Sequence, residues 1–286
     1  MTKTMNLVVQ GPSAATATLE GVLALARPAR TTAIGTHALR GEDVAYSADV
    51  AEAVHAAALA ARVDATFTEA GRALSDFALV AMDMDSTLIT IECIDEIADM
   101  QGLKAEVSEI TEAAMRGELD FAASLTRRVA LLAGLEAAAL ERVYEERLRL
   151  SPGAETMLAA VRGAGLKTLL VSGGFTFFTD RLKARLGLDY AHANVLEVES
   201  GRLTGRVVGG IVDAEEKMRT VQRVCAELGV GTCRAIVMGD GANDLRMMGV
   251  SGLSVAFRAK PVVRAQADVA LNFSGLDGVL KVLGAQ

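Results

Sequence analysis

Apolar stretches that alternate with helical segments dominate the chain from residue 77 onward. The stretches read FALVAMD, KTLLVSGG, RAIVMGDG, GLSVAF and ADVALNF. Strands this apolar are buried on both faces, which is typical of a parallel sheet with helical crossovers, and such a sheet binds its ligand at the carboxyl ends of the strands. Three of the stretches reach a polar side chain, at Asp83, Ser172 and Asp240. We therefore expect an α/β fold with its functional site at these strand ends.

Residues before this pattern follow another order of elements. From residue 4 to about residue 70 the order is strand, helix, one or two strands, helix and strand. This order predicts a small α+β domain with helices on an antiparallel sheet. The turn residues Gly71 and Ser75 then precede the first apolar stretch. We expect two domains, at residues 1–73 and 74–286.

Residues 92 to about 150 separate the first two apolar stretches, and they are too many for one crossover helix. The segments AEVSEITEAAMRG, DFAASLTRRVALLAG and LEAAALERVYEERLRL within this region have helical periodicity. Helices inserted at this position can cover the carboxyl ends of the strands. The sequence therefore predicts a helical cap over the site.

The composition argues against several classes of protein. Acidic residues outnumber basic ones by 36 to 29, and no stripe of lysine and arginine is present that would attract nucleic acid. The three cysteines, Cys93, Cys225 and Cys233, have no C-x-x-C spacing, which argues against a disulfide framework and a zinc site. The early run MNLVV is too short for a signal peptide, and no stretch approaches the ~20 apolar residues of a membrane helix. We expect a cytoplasmic protein with reduced thiols and no nucleic-acid or membrane partner.

Asp83 and Asp85 stand two positions apart where the first apolar stretch ends. Side chains at positions i and i+2 of a strand share a face, so both carboxylates would project into one pocket if the extended geometry continues. Two buried carboxylates repel each other, and the arrangement persists only with a cation, a shared proton or both. Oxygen ligands of this kind suit Mg²⁺, which proteins hold with a few carboxylates and a substrate phosphate.

The turn GDGAND after the third apolar stretch supplies three more oxygen-bearing side chains, those of Asp240, Asn243 and Asp244. If the strands are neighbours, Asp240 can meet Asp83 at one metal ion. The turn SGG ends the second stretch, and its Ser172 hydroxyl and unhindered backbone N–H groups form a cradle suited to phosphate. Lys217 offers a cationic head group to the same phosphate.

Four motifs occur in order across residues 83–244, namely D-x-D-S-T, S-G-G, a lysine and G-D-G-x-N-D. This set resembles the haloacid dehalogenase superfamily of phosphatases, in which an aspartate is the nucleophile. The segments DMDSTLITIECIDEIA, MRGELDFAASLTRRVALLAGL, VSGGFTFF, GLDYAHAN and MGDGANDLRMM are similar to those of its phosphoserine phosphatases. The resemblance covers roughly residues 77–283. It implies a Rossmannoid parallel sheet with a helical cap insertion.

The resemblance also implies a mechanism that the residue chemistry supports. Asp83 would attack phosphorus and become an aspartyl phosphate. Asp85 would protonate the departing serine oxygen and later deprotonate the attacking water, which requires a raised pKa. Mg²⁺ would be held by the carboxylates of Asp83 and Asp240 and by the backbone carbonyl of Asp85.

Further roles are implied for the residues that match the other motifs of the family. Ser172, Gly173 and Lys217 would contact the phosphoryl oxygens. Asn243 would orient the site, and Asp244 would hold Lys217 or the metal-bound waters.

The cap residues implied by the resemblance would select the substrate. Glu92 would bind the substrate amino group, and Arg128 in TRRV would bind its carboxylate, with the neighbouring Arg127 an open alternative. Opposite charges suit an amino acid, and a guanidinium can hold a carboxylate at two points. Met115 and Phe121 match apolar cap positions that would help to exclude water when the lid closes.

The leading hypothesis is Mg²⁺-dependent hydrolysis of O-phospho-L-serine, the last step of serine biosynthesis. Phosphohomoserine or phosphothreonine as the substrate, or an acceptor other than water, are alternatives, because one methyl group changes pocket energetics by only about 1–3 kcal/mol. An amino-acid-sensing module without catalysis is a third hypothesis. The retained Asp83, Asp85, Lys217 and Asp240 weigh against it.

The N-terminal segment resembles, in its order of elements, the ACT-like domain that precedes the catalytic domain in many bacterial phosphoserine phosphatases. Domains of this kind bind amino acids or mediate dimerisation in that family. We therefore expect a regulatory or dimerisation domain and a homodimer. No ligand loop can be assigned, since QGPSAAT fits a helix-start turn and a plain connection equally well.

Overall fold

Two β-sheets organise the part of the chain that the structure describes. The computed structural model describes residues 5–115 and 118–285. One sheet has four strands and the other has seven. Within the same residues, each helix falls short of the length and apolar character that crossing a membrane requires.

The small sheet is built from the first part of the chain. Its elements are β1 (Met5–Gln10), α1 (Thr16–Ala24), β2 (Arg30–Ala33), β3 (Ala38–Glu42), α2 (Ala48–Ala60) and β4 (Asp64–Glu69). The strand order is β2-β3-β1-β4, and β1 pairs antiparallel with both β3 and β4. Leu7 and Val9 of β1 form one apolar cluster with Leu19 of α1 and Val54 of α2. The predicted order of strands and helices is confirmed, and the ACT-like role of this unit stays a prediction.

The large sheet is mostly parallel, as predicted. Its strands are β5 (Leu79–Met82), β6 (Lys167–Phe175), β7 (Tyr190–Glu199), β8 (Arg202–Val208), β9 (Ala235–Gly239), β10 (Leu253–Phe257) and β11 (Val269–Leu271). The order is β11-β10-β9-β5-β6-β7-β8, and β7 pairs antiparallel with β8. β5, β9 and β10 are buried along their whole length. β5 and β9 consist of apolar residues and glycine, whereas β10 also buries Ser254, whose hydroxyl donates to Asp268 Oδ2.

The position of β5 brings the predicted site residues to one edge of the sheet. β5 lies between β6 and β9 and runs parallel to both. Asp83 follows β5, Asp240 follows β9, and Ser172 lies in β6 near its carboxyl end. β6 continues to Phe175, where the sequence had indicated a turn after Ser172. Its pairing with β7 shifts register after Val171, so an irregularity within the strand carries Ser172 to the site.

The cap between β5 and β6 is helical, as predicted. Its elements are α3 (Cys93–Asp99), α4 (Lys104–Met115), α5 (Phe121–Ala130) and α6 (Ala138–Arg142). The Asp120 carboxylate caps α5 by accepting the Ala123 N–H at 2.7 Å. α5 buries Leu125 and Val129 in the main apolar cluster, which fixes the rotation of this helix above the sheet edge.

Further helices cover both faces of the large sheet. They are α7 (Ala154–Gly163), α8 (Thr176–Leu186), α9 (Ala214–Glu227), α10 (Leu245–Gly249), α11 (Pro261–Arg264) and α12 (Gly278–Val282). Side chains of α7, α8 and α12 belong to one apolar cluster. Those of α9, α10 and α11 belong to a second cluster on the opposite face.

Polar contacts dock the small sheet against the large one. Asp64 in β4 is 1% exposed, and its carboxylate accepts the N–H groups of Asn272 at 2.7 Å and Ser274 at 2.8 Å. Gln10 Nε2 donates to the Gly278 carbonyl at 2.9 Å. The two units therefore share a polar interface, and the predicted domain boundary near residue 73 stays a prediction.

Candidate active site

The strand ends bring three carboxylates into one cluster. Carboxylate oxygens of Asp83, Asp240 and Asp244 lie within 4.8 Å of one another. Asp83 is 5% exposed and Asp244 is fully buried. Thr87 Oγ1 donates to Asp240 Oδ1 at 3.2 Å and links the turn after β5 to the turn after β9. The parallel pairing of β5 with β9 therefore places Asp83 beside Asp240.

Lys217 supplies positive charge to this cluster. It is 1% exposed on α9, and its Nζ lies 2.8 Å from Asp83 Oδ2 and 2.8 Å from Asp244 Oδ1. Burial lowers the pKa of Lys217, but the two carboxylates outweigh burial and the net pKa shift is upward. Asp244 Oδ2 accepts the backbone N–H groups of Asp240 and Gly241, each at 3.1 Å. Asp244 therefore holds both Lys217 and the turn that carries Asp240.

Negative charge exceeds positive charge in the carboxylate cluster. Burial and then the charge of Asp244 raise the pKa of Asp83, although Lys217 acts in the opposite direction. Burial and then the charge of Asp244 also raise the pKa of Asp240 to about 7. A divalent cation would relieve this repulsion. The side chain of Asp85 lies outside the cluster that the described residues form, and the metal contact through its backbone carbonyl stays a prediction.

Asp85 occupies a separate position in the site. β5 ends before Asp83 and the chain turns over Met84–Leu88, so the strand does not continue through both aspartates. Both side chains nevertheless line one cleft, as the spacing predicted. The Cys93 N–H donates to Asp85 Oδ1 at 3.1 Å. Burial and then the charge of Glu92 raise the pKa of Asp85 to about 7. A carboxyl group with such a pKa can both give and take a proton near neutral pH.

The segment Ser172–Gly174 approaches the aspartates closely. The Gly174 N–H donates to Ser172 Oγ at 2.8 Å. A Cβ atom at Gly173 would lie 2.7 Å from Phe121 Cζ, and one at Gly174 would lie 2.7 Å from Asp85 Oδ2. A larger residue at either glycine would therefore push a neighbouring side chain out of the site.

Asn194 of β7 fixes the segment Ser172–Gly174 through hydrogen bonds. Its Nδ2 donates to the Gly173 carbonyl at 2.7 Å, and its Oδ1 accepts the Val212 N–H at 2.8 Å. Asn194 is 1% exposed, so both bonds are shielded from water. One side chain therefore ties the end of β6 to the loop that leads into α9.

These groups open into a cleft of about 760 Å³ between the sheet edge and the cap. On the cap side, Glu92 and Arg128 both line the cleft. Ser86 Oγ donates to Glu92 Oε1 at 2.6 Å, and Arg128 Nε donates to the Ser124 carbonyl at 3.4 Å. Arg127 is exposed and does not line the cleft, so the structure favours Arg128 over its neighbour.

Other predicted site residues take different positions relative to the cleft. Phe121 and Asn243 line it. Lys217 does not line it, because this side chain lies behind Asp83. The side chain of Met115 lies outside the described residues.

The family of haloacid dehalogenase-like hydrolases matches residues 80–249. The chain belongs to this family. The matched residues contain the three strand ends and the cap, and the small sheet of this haloacid dehalogenase-like hydrolase precedes them.

Relatives with known names or structures extend the similarity. A phosphoserine phosphatase of Polaromonas sp. is 59% identical over 215 residues, which cover 73% of this chain and 91% of that protein. The crystal structure of a probable phosphoserine phosphatase from Vibrio cholerae, in an unliganded form, is 36% identical with a TM-score of 0.82, over 97% of this chain and 86% of that one. A substrate-bound phosphoserine phosphatase structure is 37% identical with a TM-score of 0.68, over 72% of this chain and 98% of that one.

Sequence reasoning missed three residues at the site of this haloacid dehalogenase-like hydrolase. Asn194 lies in GLDYAHAN and Thr87 in DMDSTLIT, two segments that resemble the family. The resemblance therefore pointed to both residues, although no role was predicted for either. Lys260 lies just before α11, lines the cleft and donates its N–H to the Asp240 carbonyl at 3.1 Å. Lys260 lies outside the four motifs that resemble the family.

Proposed function

We propose that this haloacid dehalogenase-like hydrolase converts O-phospho-L-serine and water into L-serine and inorganic phosphate. The observation that carries the proposal is a single site that holds a buried Asp83–Lys217 pair below the cleft and Glu92 and Arg128 on its cap side. The first pair suits attack on a phosphate ester, and the second pair suits the opposite charges of an amino acid. The relatives named phosphoserine phosphatase support the same reaction.

The carboxylate cluster fits Mg²⁺. Its donors are oxygen atoms, and burial followed by the charge of Asp244 raises the pKa values of Asp83 and Asp240, a cost of ionisation that a cation would lower. Asp83 and Asp240 would hold the ion through their carboxylates and Asp85 through its backbone carbonyl. Both oxygens of Asp244 already have partners, in Lys217 and in backbone N–H groups. When bound, Mg²⁺ supplies positive charge to the phosphate and the attacking carboxylate.

The reaction proceeds in two displacements at phosphorus. First, an oxygen of Asp83 bonds to phosphorus while the bond between phosphorus and the serine oxygen breaks. Asp85 gives its proton to that oxygen, so serine leaves as a neutral alcohol. Asp85 then takes a proton from water, whose oxygen attacks the aspartyl phosphate. The second displacement releases phosphate and restores the carboxylate of Asp83.

Donors around the nucleophile would bind the phosphoryl oxygens. Ser172 Oγ accepts the Gly174 N–H, so its own hydrogen is available to a phosphoryl oxygen. Lys217 lies behind Asp83, and its ammonium, paired with Asp83 and Asp244, would add positive charge beneath the bound phosphate. The Gly173 backbone and the Asn243 side chain would add further polar contacts.

The cap side would recognise the serine part of the substrate. The Glu92 carboxylate would bind the ammonium group, and the Arg128 guanidinium would bind the carboxylate. Phe121 and Met115 would help to exclude water from the closed cleft. A phosphate ester without these two charges would forgo both interactions and bind more weakly.

Phosphate release from O-phospho-L-serine tests the proposal, with phosphothreonine and an aryl phosphate as comparison substrates. Each assay is run with Mg²⁺ and with a chelator, and Asp83→Asn serves as the blank for contaminating phosphatases. We expect turnover that requires Mg²⁺ and favours phosphoserine over both comparison substrates. Turnover that persists in chelator would refute the metal assignment, and equal turnover of all three esters would refute the role of Glu92 and Arg128.

A further inference from the structure

A second cavity lies between the small sheet and the large sheet. Its volume is about 930 Å³. One wall consists of residues 12–18 and 59–62 from the small unit, and the other consists of residues near α11 and after β11. Among the described residues, none that lines this interdomain cavity also lines the catalytic cleft. The two cavities are therefore separate sites.

Three arginines line the interdomain cavity, and none forms an ion pair with a described residue. The Arg62 guanidinium lies 5.4 Å from the centroid of the Phe273 ring. Arg264 Nη1 donates to Asn272 Oδ1 at 3.2 Å, and that amide carries no charge. The third arginine, Arg258, lies 5.3 Å from the ring of its neighbour Phe257. Three cationic side chains of an acidic protein thus line one cavity, and no carboxylate in the described part of the chain pairs with them.

The surrounding backbone reinforces this positive character. The start of α1 also borders the cavity. Its first turn contains no acidic residue and no side-chain cap, which leaves the positive end of the helix dipole uncompensated.

We propose that the interdomain cavity binds a small organic polyanion with two or more phosphate or carboxylate groups. A planar guanidinium donates two parallel hydrogen bonds to either group, and three of them match a ligand with several negative charges. The volume lies within the range of about 300–1,000 Å³ that is usual for small-molecule sites. Such a ligand contacts Arg62 of the small unit and Arg258 and Arg264 of the large unit. It therefore stabilises the docking of the small unit against the large one.

Calorimetric titration of the full chain tests this site with two probes, pyrophosphate and citrate. The protein is first stripped of divalent ions on a chelating resin, because the metal-free catalytic cleft then presents uncompensated carboxylates and repels anions. We expect one probe molecule to bind to each chain and to raise the melting temperature of the protein. Binding of pyrophosphate alone identifies a phosphorylated ligand class, and binding of citrate alone identifies a polycarboxylate class.

Charge-removing variants locate the probe. Arg62→Gln and Arg264→Gln should each weaken binding about tenfold, which corresponds to about 1.4 kcal/mol. Arg185→Gln is the matched control, since this exposed arginine lines neither cavity and its change should leave binding intact. The proposal fails if neither probe binds, or if all three variants weaken binding equally. It also fails if Arg128→Ala abolishes binding while Arg62→Gln does not, because the probe then occupies the catalytic cleft.

Discussion

Lys217 Nζ and Asp83 Oδ2 form a 2.8 Å ion pair that is almost completely shielded from water. The same ammonium also pairs with Asp244, so two buried carboxylates depend on one cation. Removing one partner from such a group leaves an uncompensated charge in a medium of low polarity. Stability and catalysis therefore depend on the same side chain.

Replacing Lys217 by methionine should destabilise the fold and stop turnover. The change leaves Asp83 and Asp244 buried without their cation, which costs about 3–5 kcal/mol of the free energy of unfolding. Urea denaturation and phosphate release measure the two effects. Lys167→Met is the matched control, because it removes an exposed pair with Asp189 and should alter neither quantity. Similar unfolding midpoints for the two variants would contradict the structural role of Lys217.

Replacing Asp83 by asparagine should abolish turnover and preserve the fold. The amide keeps the shape of the side chain but cannot form the aspartyl phosphate, and the loss of a covalent nucleophile lowers kcat by about four orders of magnitude or more. Since Asp83 belongs to a cluster of mutually repelling carboxylates, the melting temperature should stay constant or rise. Activity and thermal unfolding are measured on the same preparation. Turnover near that of the unmodified enzyme would exclude Asp83 as the nucleophile.

Replacing Arg128 by alanine should raise KM for phosphoserine about tenfold or more and leave the turnover of an aryl phosphate nearly unchanged. Arg128 lines the cleft, where a lost charge-assisted contact to a carboxylate costs about 1.5–3 kcal/mol. Arg127→Ala provides the control, because its neighbouring side chain is exposed and should affect neither substrate. Steady-state kinetics on phosphoserine and on the aryl phosphate measure both effects. Equal losses on phosphoserine and the aryl ester would assign Arg128 to the fold.

Replacing Asn194 by alanine should lower kcat for phosphoserine and for an aryl phosphate to the same extent. The change leaves the Gly173 carbonyl and the Val212 N–H without their shared partner, at a cost of about 1–3 kcal/mol in stability. A looser Ser172–Gly174 segment affects phosphate binding, which both substrates share. Denaturation and kinetics together test this role. Lower stability with unchanged kcat would restrict Asn194 to a purely structural function.

The large sheet could be predicted because its central strands carry their signal locally. β5 and β9 consist of apolar residues and glycine, β10 adds the buried Ser254, and a polar residue follows β5 and β9 at the carboxyl end. The path between Asp83 and Asp85 could not be predicted, since the turn over Met84–Leu88 replaces the expected extended chain. That turn is stabilised by contacts such as the Thr87–Asp240 hydrogen bond, which joins residues far apart in the chain.

The chemistry of the side chains and the meeting of the strand ends could therefore be predicted from the order of residues, whereas the contacts of individual side chains could not. The carboxylates of Asp83 and Asp240 and the motifs that contain them indicate phosphate chemistry from the sequence alone. The choice between Arg127 and Arg128 depends on the rotation of α5, which packing of Leu125 and Val129 into the core decides. The interdomain cavity likewise exists only because the small sheet docks against the large one. Motifs and periodicity are local properties, whereas distances between remote residues follow from the packing of whole helices and sheets.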